Sequence, residues 1–262
     1  MPVESLARSP AAPDAALRRL SGYAPLAPEE AALLRQVTAR PVLVPARTEL
    51  VRDGEAAPRP QVLLEGWACR QRLLADGRRQ IVVVLLPGDL IGLETRRRPL
   101  PFGSVATLTP AQICEAGALR AAAGGREAGG ETGNGEAGGR ETGGRETGLA
   151  AALRQAREME EIWLVNQVVR LGRQTAYERV AHFLLELRER LAAVDRVQEN
   201  RFSFPITQEV LADALGLSVV HMNRTMQQLR RDGLIEQRAT AITLRDVPSL
   251  VSIADYAGAH GT

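Results

Sequence analysis

The side chains with the clearest chemical use lie between Thr207 and Arg231. A guanidinium offers a fork of donors that fits O6 and N7 of guanine, and a side-chain amide can pair with adenine. Arg224 and Asn223 supply the two groups side by side. Val219, Val220 and His221 precede them. Arg230 and Arg231 follow at a distance that suits contacts to phosphate, as do the hydroxyls of Thr207 and Thr225. This is the chemistry of duplex DNA recognition, and it needs no bond-making.

Other candidates are sparse. Cys69 and Cys114 form neither a disulfide framework nor a Cys-x-x-Cys metal motif, so two buried, inert thiols are expected. Neither thiol has a neighbour that clearly lowers its pKa, and Cys69, beside Arg70, is the better redox candidate. No histidine lies between Met1 and Ala181, and His182 and His260 have no partner cluster. No phosphate loop, Ser-His-Asp set or Gly-x-Ser-x-Gly pattern is present. Neither catalysis, nor a metal, nor another cofactor is therefore expected. Arg96, Arg97 and Arg98 form a basic run, read as an exposed loop, with an anion or effector site as the alternative.

Base-reading side chains need a rigid carrier. Thr207 can cap one helix, with Leu211, Ala214 and Leu215 as its inner face. Gly216 suits a left-handed turn. Ser218 can cap a second helix, with Met222, Met226 and Leu229 facing inward. Two such helices across a tight turn make a helix-turn-helix, whose second helix presents its outer N-terminal residues to the major groove. Arg238 to Leu244 reads as a small hairpin, the wing. Upstream, Thr175-Ala176-Tyr177-Glu178 is a capping box, followed by one apolar face through Val180, Leu184, Leu187 and Leu191. Before it runs a long helix. Met159, Ile162, Asn166 and Val169 follow the 4-3 alternation of a coiled-coil dimer seam, in which Asn166 would fix register. Trp163, Leu164, Val165 and Val168 are apolar too, so this helix is buried on more than one side.

The first half has a different texture. Runs at Pro41–Val44, Gln61–Leu64 and Gln80–Leu86 alternate with turn signals such as Glu65-Gly66, Asp76-Gly77 and Pro87-Gly88-Asp89. That pattern fits an antiparallel sandwich or barrel, and Asp76-Gly77 marks a hairpin. Pro28 to Val37 reads as a helix packed on it. Gly124 to Gly148 is low-complexity sequence that cannot bury a core. The expected fold is α+β. Residues 1–20 form a disordered tail and 21–123 an antiparallel, jelly-roll-like β-roll sensor domain. Residues 124–148 are a Gly-rich insertion, 149–174 a dimerisation helix and 175–262 a winged helix-turn-helix.

No apolar run reaches the roughly 18 residues of a membrane span, and the N-terminus lacks a charged-then-apolar signal pattern. The cytoplasm is the expected location, with no membrane partner. Net charge is only +2 and all 33 basic residues are arginine, so any nucleic-acid contact must come from a local patch.

Motifs in both halves of the chain resemble the Crp/Fnr family. Thr207-Gln208-Glu209-Val210-Leu211-Ala212-Asp213-Ala214-Leu215-Gly216-Leu217-Ser218, then Asn223-Arg224, resembles its helix-turn-helix. Leu64 to Arg70, Asp76 to Ile81 and Leu86-Pro87-Gly88-Asp89-Leu90-Ile91-Gly92 resemble its cyclic-nucleotide-binding-type β-roll. The resemblance spans Ala24 to Val251 except the Gly-rich insertion. It implies a sequence-specific transcriptional regulator that binds duplex DNA as a homodimer through its long helix, on a palindromic operator with recognition helices about one DNA turn apart. It also implies RNA polymerase as a further partner, and a signal at the β-roll that repositions the DNA-binding domains.

The departures from the family pattern narrow that expectation. Cyclic-AMP-binding members carry a Glu and an Arg-Ser pair in their phosphate-binding segment. Here the segment from Glu94 to Ala106 keeps Ser104 but not the Arg-Ser-Ala order. A cyclic phosphate needs charge-assisted donors at fixed positions, so no cyclic-AMP response is expected and the effector is left unidentified. An iron–sulfur cluster needs about four thiolates, and the chain has 2 cysteines. Val220 stands where many members carry Glu, replacing an acceptor for cytosine with an apolar contact for a thymine methyl. Arg224 stands at the family's base-reading arginine. The rival reading is a protein-interaction module, kept open by near charge balance beyond Arg201. A steep loss of DNA binding with salt separates the two.

Overall fold

The run from Gln80 to Leu86 is apolar without alternation because its strand is covered on both faces. Val83 and Leu85 point into the space between two sheets. Ile81, Val84 and Leu86 point outward into a second core, shared with the C-terminal helices. The computed structural model describes residues 14–54, 59–92, 103–123 and 146–258.

The chain opens with α1 (Asp14–Tyr23) and α2 (Pro28–Thr38). The roll follows: β1 (Val42–Val44), β2 (Glu49–Val51), β3 (Gln61–Glu65), β4 (Ala68–Leu73), β5 (Arg79–Leu85), β6 (Leu90–Ile91), β7 (Ser104–Thr107) and β8 (Ala111–Glu115). Then come α3 (Gly117–Ala122), the long α4 (Gly148–Arg173) and α5 (Ala176–Ala192). The C-terminal part holds β9 (Arg201–Ser203), α6 (Gln208–Leu215), α7 (Val219–Arg231), β10 (Ile235–Arg238), β11 (Ala241–Leu244) and α8 (Val247–Ala254).

The roll is two antiparallel sheets, ordered β1-β8-β3-β6 and β2-β7-β4-β5. Leu63, Ala68, Val105 and Ala111 fill the layer between them, joined by Met159 and Trp163 of α4. Val62 and Leu64, on the other face of β3, are covered by Ala16, Leu20, Leu34, Leu119 and Leu149 from four helices. The Asp76-Gly77 hairpin forms as expected: Gly77 takes φ +85° and Leu73 pairs with Arg79.

Two expectations need correction. Disorder was expected through residue 20, yet α1 starts at Asp14, with Ala15, Ala16, Arg19 and Leu20 buried. A short Ala- and Arg-rich turn of helix gains its stability from packing rather than propensity. Of the four residues expected in the α4 seam, Val169 is exposed, but Met159 is not. Met159 is buried in the roll, Ile162 packs partly on the same core, and Asn166 is half-buried. The outward apolar residues are Val165, Val168 and Val169. A helix apolar nearly all round satisfies several seams at once, and the bulk of Trp163 decides which side enters the core.

Residues 1–13 of the expected tail and 124–145 of the Gly-rich insertion lie outside the described residues. The chain re-enters under tight control. The Leu149 N–H donates to Glu30 Oε1 at 2.9 Å and the Ala27 N–H to Glu30 Oε2 at 2.8 Å. One carboxylate thus serves the starts of α2 and α4. These N–H donors, Leu149 first, hold the Glu30 carboxyl below its usual range.

Candidate nucleic-acid interface

The helix-turn-helix is built from local chemistry. Thr207 Oγ1 accepts the Val210 N–H at 3.2 Å, and Ser218 Oγ accepts the His221 N–H at 3.2 Å. Between the helices Gly216 sits at φ +64°, and a Cβ there would lie 3.0 Å from Leu171 Cδ2. Leu211, Ala214, Leu215, Met222, Met226 and Leu229 are all buried, as their spacing predicts. This core fixes the outward direction of α7.

Val219, Val220, His221 and Arg224 are exposed together, and Asn223 is half-buried beside them. Asn223 Oδ1 accepts from Gln208 Nε2 at 3.5 Å and from Gln227 Nε2 at 3.3 Å. Arg224, Arg230 and Arg231 are exposed and have no ion-pair partner among the described residues. One expected phosphate contact is excluded. Thr225 is buried, and its hydroxyl donates to the His221 carbonyl one turn back at 2.9 Å. The wing is the β10–β11 hairpin, turned at Ala239, with β9 alongside. Arg238 and Arg245 both pair with Glu236 there, and Arg201 joins them around a cleft of about 110 Å³. Arg201 and Arg245 enter this patch only through strand pairing, which their spacing does not reveal.

The other end of α6 is docked on the sensor sheet. The Arg79 guanidinium on β5 donates to Asp213 Oδ2 through Nη2 at 2.7 Å and Nε at 2.8 Å. The Gln80 amide donates to the Asp213 carbonyl at 2.9 Å. Gln167 of α4 donates to the Ala214 carbonyl at 2.6 Å and to the Ile81 carbonyl on β5 at 3.4 Å. Arg179 of α5 donates to the Leu215 carbonyl at 3.0 Å. The last carbonyls of a helix are left without intrahelical partners and carry partial negative charge. Here side chains from three elements satisfy them.

Behind this contact lies a buried ionic network. Asp89, from the Pro87-Gly88-Asp89 turn, pairs with Arg190 at 2.6 Å and Arg19 at 3.3 Å. Glu186 pairs with Arg170 at 2.7 Å and Arg190 at 3.4 Å. The Arg190 guanidinium lies over the Trp163 ring, 3.6 Å from its centroid. Arg170 Nη1 lies 3.2 Å from His182 Nδ1. A guanidinium only donates, so that nitrogen accepts and the ring is neutral. Burial, then the Arg170 charge, pushes the His182 pKa down to about 4.

Cys69 is not placed as a redox switch. It is fully buried, and burial pushes its thiol up to about 12. Neighbours on a strand face opposite ways, and Arg70 is turned to Glu160 at 2.6 Å instead. Burial also raises the Cys114 thiol. Arg96, Arg97 and Arg98 lie outside the described residues. Between α1, α4 and the roll, Arg19, Arg70, Asp89, Glu160 and Trp163 line a cavity of about 40 Å³.

Comparison with known proteins gives a consistent picture. A model of the Crp-like helix-turn-helix domain matches residues 178–253. The nitrogen fixation regulation protein FixK of Bradyrhizobium diazoefficiens is 32% identical over 193 residues, covering 73% of this chain and 72% of that protein. The transcriptional activatory protein AadR of Rhodopseudomonas palustris is 29% identical over 187 residues, covering 71% of this chain and 69% of that protein. The solved structure of FixK2 from Bradyrhizobium japonicum superposes with a TM-score of 0.64 at 26% identity, over 82% of this chain and 96% of that one.

Proposed function

The chain belongs to the Crp/Fnr family of DNA-binding transcriptional regulators, and from that premise we propose that it works as a homodimer on a two-fold-symmetric operator, with Arg224 reading a guanine in each half-site. One observation carries the reading: an exposed guanidinium without an ion-pair partner among the described residues, held on the second helix of a capped hairpin. Such a group is free to make a bidentate pair with O6 and N7. Val219, Val220, His221 and Asn223 lie along the same base edges. Arg230, Arg231 and the hydroxyls of Thr207 and Ser218 serve phosphates.

Val165, Val168 and Val169 of α4 form the dimer contact, with Ile162 and Asn166 at its margin; their exposure supports this. The family's regulators are typically dimers. The name of AadR, a transcriptional activatory protein, supports activation and hence RNA polymerase as a partner. A signal at the roll, other than cyclic AMP, reaches α7 through β5, Gln167 and α6. The segment from Glu94 to Ala106, which keeps Ser104 without the Arg-Ser-Ala order, supports a signal other than cyclic AMP. Among the described residues no helix is long and apolar enough to cross a membrane, and the cytoplasm is the proposed place of action.

The test is selection of bound duplexes from a random pool at two salt concentrations. The expected result is a palindrome with half-sites about one helical turn apart, bound less tightly as salt rises. Arg224→Ala should lose about 1–3 kcal/mol of operator binding and keep most non-specific binding. A variant that binds the operator like the parent protein removes Arg224 from the interface.

A further inference from the structure

We infer that the segment from α8 to Tyr256 sets the spacing between operator half-sites, by fixing the joint between α4 and α5 through Gln174 and Tyr256. The inference rests on the proposed homodimer and adds what holds its two recognition helices at one separation.

The joint is short. α4 ends at Arg173 and α5 starts at Ala176, and Gln174 and Thr175 between them have extended backbone. An extended pair interrupts the helical hydrogen-bond ladder, so side chains must fix the angle. Arg179 of α5 makes one attachment. Its guanidinium donates to the Gln174 carbonyl at 2.8 Å and the Leu171 carbonyl at 3.1 Å, and reaches the Leu215 carbonyl at the end of α6. The Gln174 side chain makes a second. Its Nε2 donates to the Ala254 carbonyl at 2.9 Å, one of the last in α8 and so without an intrahelical partner. A single attachment allows rotation about it, and attachments to two elements do not.

α8 is itself tied down. Leu250 and Ala254 are buried. The chain reverses at Asp255, with φ +48°, and returns Tyr256 to α5. There the Tyr256 hydroxyl donates to Glu189 Oε2 at 2.5 Å, and its ring meets the His182 ring edge-on, with centroids 4.9 Å apart. His182 is the residue that accepts from Arg170 of α4, so the segment backs α5 at a second point where the two helices meet. The Gln174 amide oxygen is buried without a hydrogen-bond partner among the described residues, which costs stability. The amide therefore contributes direction to the joint more than strength.

That direction matters on a two-fold operator. At about 10–10.5 base pairs per turn, one extra base pair rotates one half-site by roughly 35° against the other, or roughly 17° for each protomer. A fixed joint refuses that turn, and a loosened one allows it.

The experiment titrates the selected operator, and versions with one base pair added or removed between the half-sites, with the parent protein, Gln174→Met and Tyr256→Phe. The parent should bind the selected spacing in preference to the other two. Gln174→Met keeps the side-chain length and loses the amide. Its preference for the selected spacing should fall about fivefold, the effect of one hydrogen bond, while its melting temperature stays level or rises. Tyr256→Phe should shift the preference in the same direction. Thermal melts show whether each variant is folded. Affinity lost equally at every spacing, or a preference unchanged in the folded variants, overturns the inference and leaves the segment a support of the fold alone. A parent protein that binds every spacing alike, or selects no palindrome, overturns the two-fold reading and the inference with it.

Discussion

Arg79 and Asp213 meet across the boundary between the sensor sheet and the helix-turn-helix, with two guanidinium nitrogens within 2.8 Å of one carboxylate oxygen. Each side chain keeps 27% of its exposure, so solvent screens the pair. Its contribution belongs with surface ion pairs, roughly 0.2–1 kcal/mol. Urea unfolding of Arg79→Ala, Asp213→Ala and the double variant should return a coupling energy in that range. The exchanged pair, Arg79→Asp with Asp213→Arg, should recover part of it. Strictly additive single effects would show that the pair contributes nothing.

Asp89 behaves differently because water does not reach it. It pairs with both Arg19 and Arg190, and its Oδ2 also accepts the Leu86 N–H at 2.8 Å. Asp89→Ala removes the carboxylate paired with buried Arg19 and leaves buried Arg190 to share Glu186 with Arg170. Stability should fall by about 3–5 kcal/mol, read as an earlier urea midpoint. A loss below roughly 1 kcal/mol would mean that Glu186 and water take over the arginines.

His182 gives the chain an acid limb. Folding lowers its pKa from 6.5 to about 4, through burial first and the Arg170 charge second. Between those values the unfolded chain binds a proton that the native chain refuses, so stability falls as pH drops. The slope is at most ~1.4 kcal/mol per pH unit, and the group contributes nothing above pH 6.5. Urea midpoints between pH 4 and 6.5 should fall more steeply for the parent than for His182→Gln. Parallel curves would show that the ring titrates normally.

Two glycines should respond in opposite directions to alanine. Gly216 holds a left-handed turn, and its new Cβ would press on Leu171. Gly216→Ala should cost about 1–2 kcal/mol. Gly172, in the last turns of α4, meets nothing within 4 Å and has no positive φ. Gly172→Ala should stabilise by up to about 1 kcal/mol. Thermal melts of both variants decide the signs.

The helix-turn-helix was legible because its signals are local. A cap, a turn glycine and apolar spacing all lie within a turn or two of the residues they organise, as Thr207, Gly216 and Ser218 do. The hairpin at Asp76-Gly77 was legible for the same reason. Pairings between distant segments were not. Nothing near Asp89 announces Arg190, and nothing near Arg79 announces Asp213. The 4-3 pattern places Met159 in a dimer seam because it names a stripe without naming which stripe meets the core. The double burial of β5 was visible as an unbroken apolar run, but the partner for its second face was not.

Gln167 connects the two halves of the molecule through one amide nitrogen. Its two hydrogens point to different places, the Ile81 carbonyl on the sheet and the Ala214 carbonyl on the helix. Its oxygen is occupied too, accepting from Arg170 Nε at 3.1 Å. With both N–H donors committed, the amide has none spare with which to follow a sliding neighbour. If α6 moves off the sheet, one of these bonds must be given up whole, because hydrogen bonds weaken steeply with misalignment. Such a joint behaves like a detent. It holds one seating, resists small displacements and releases past a threshold, which favours a discrete response over a graded one.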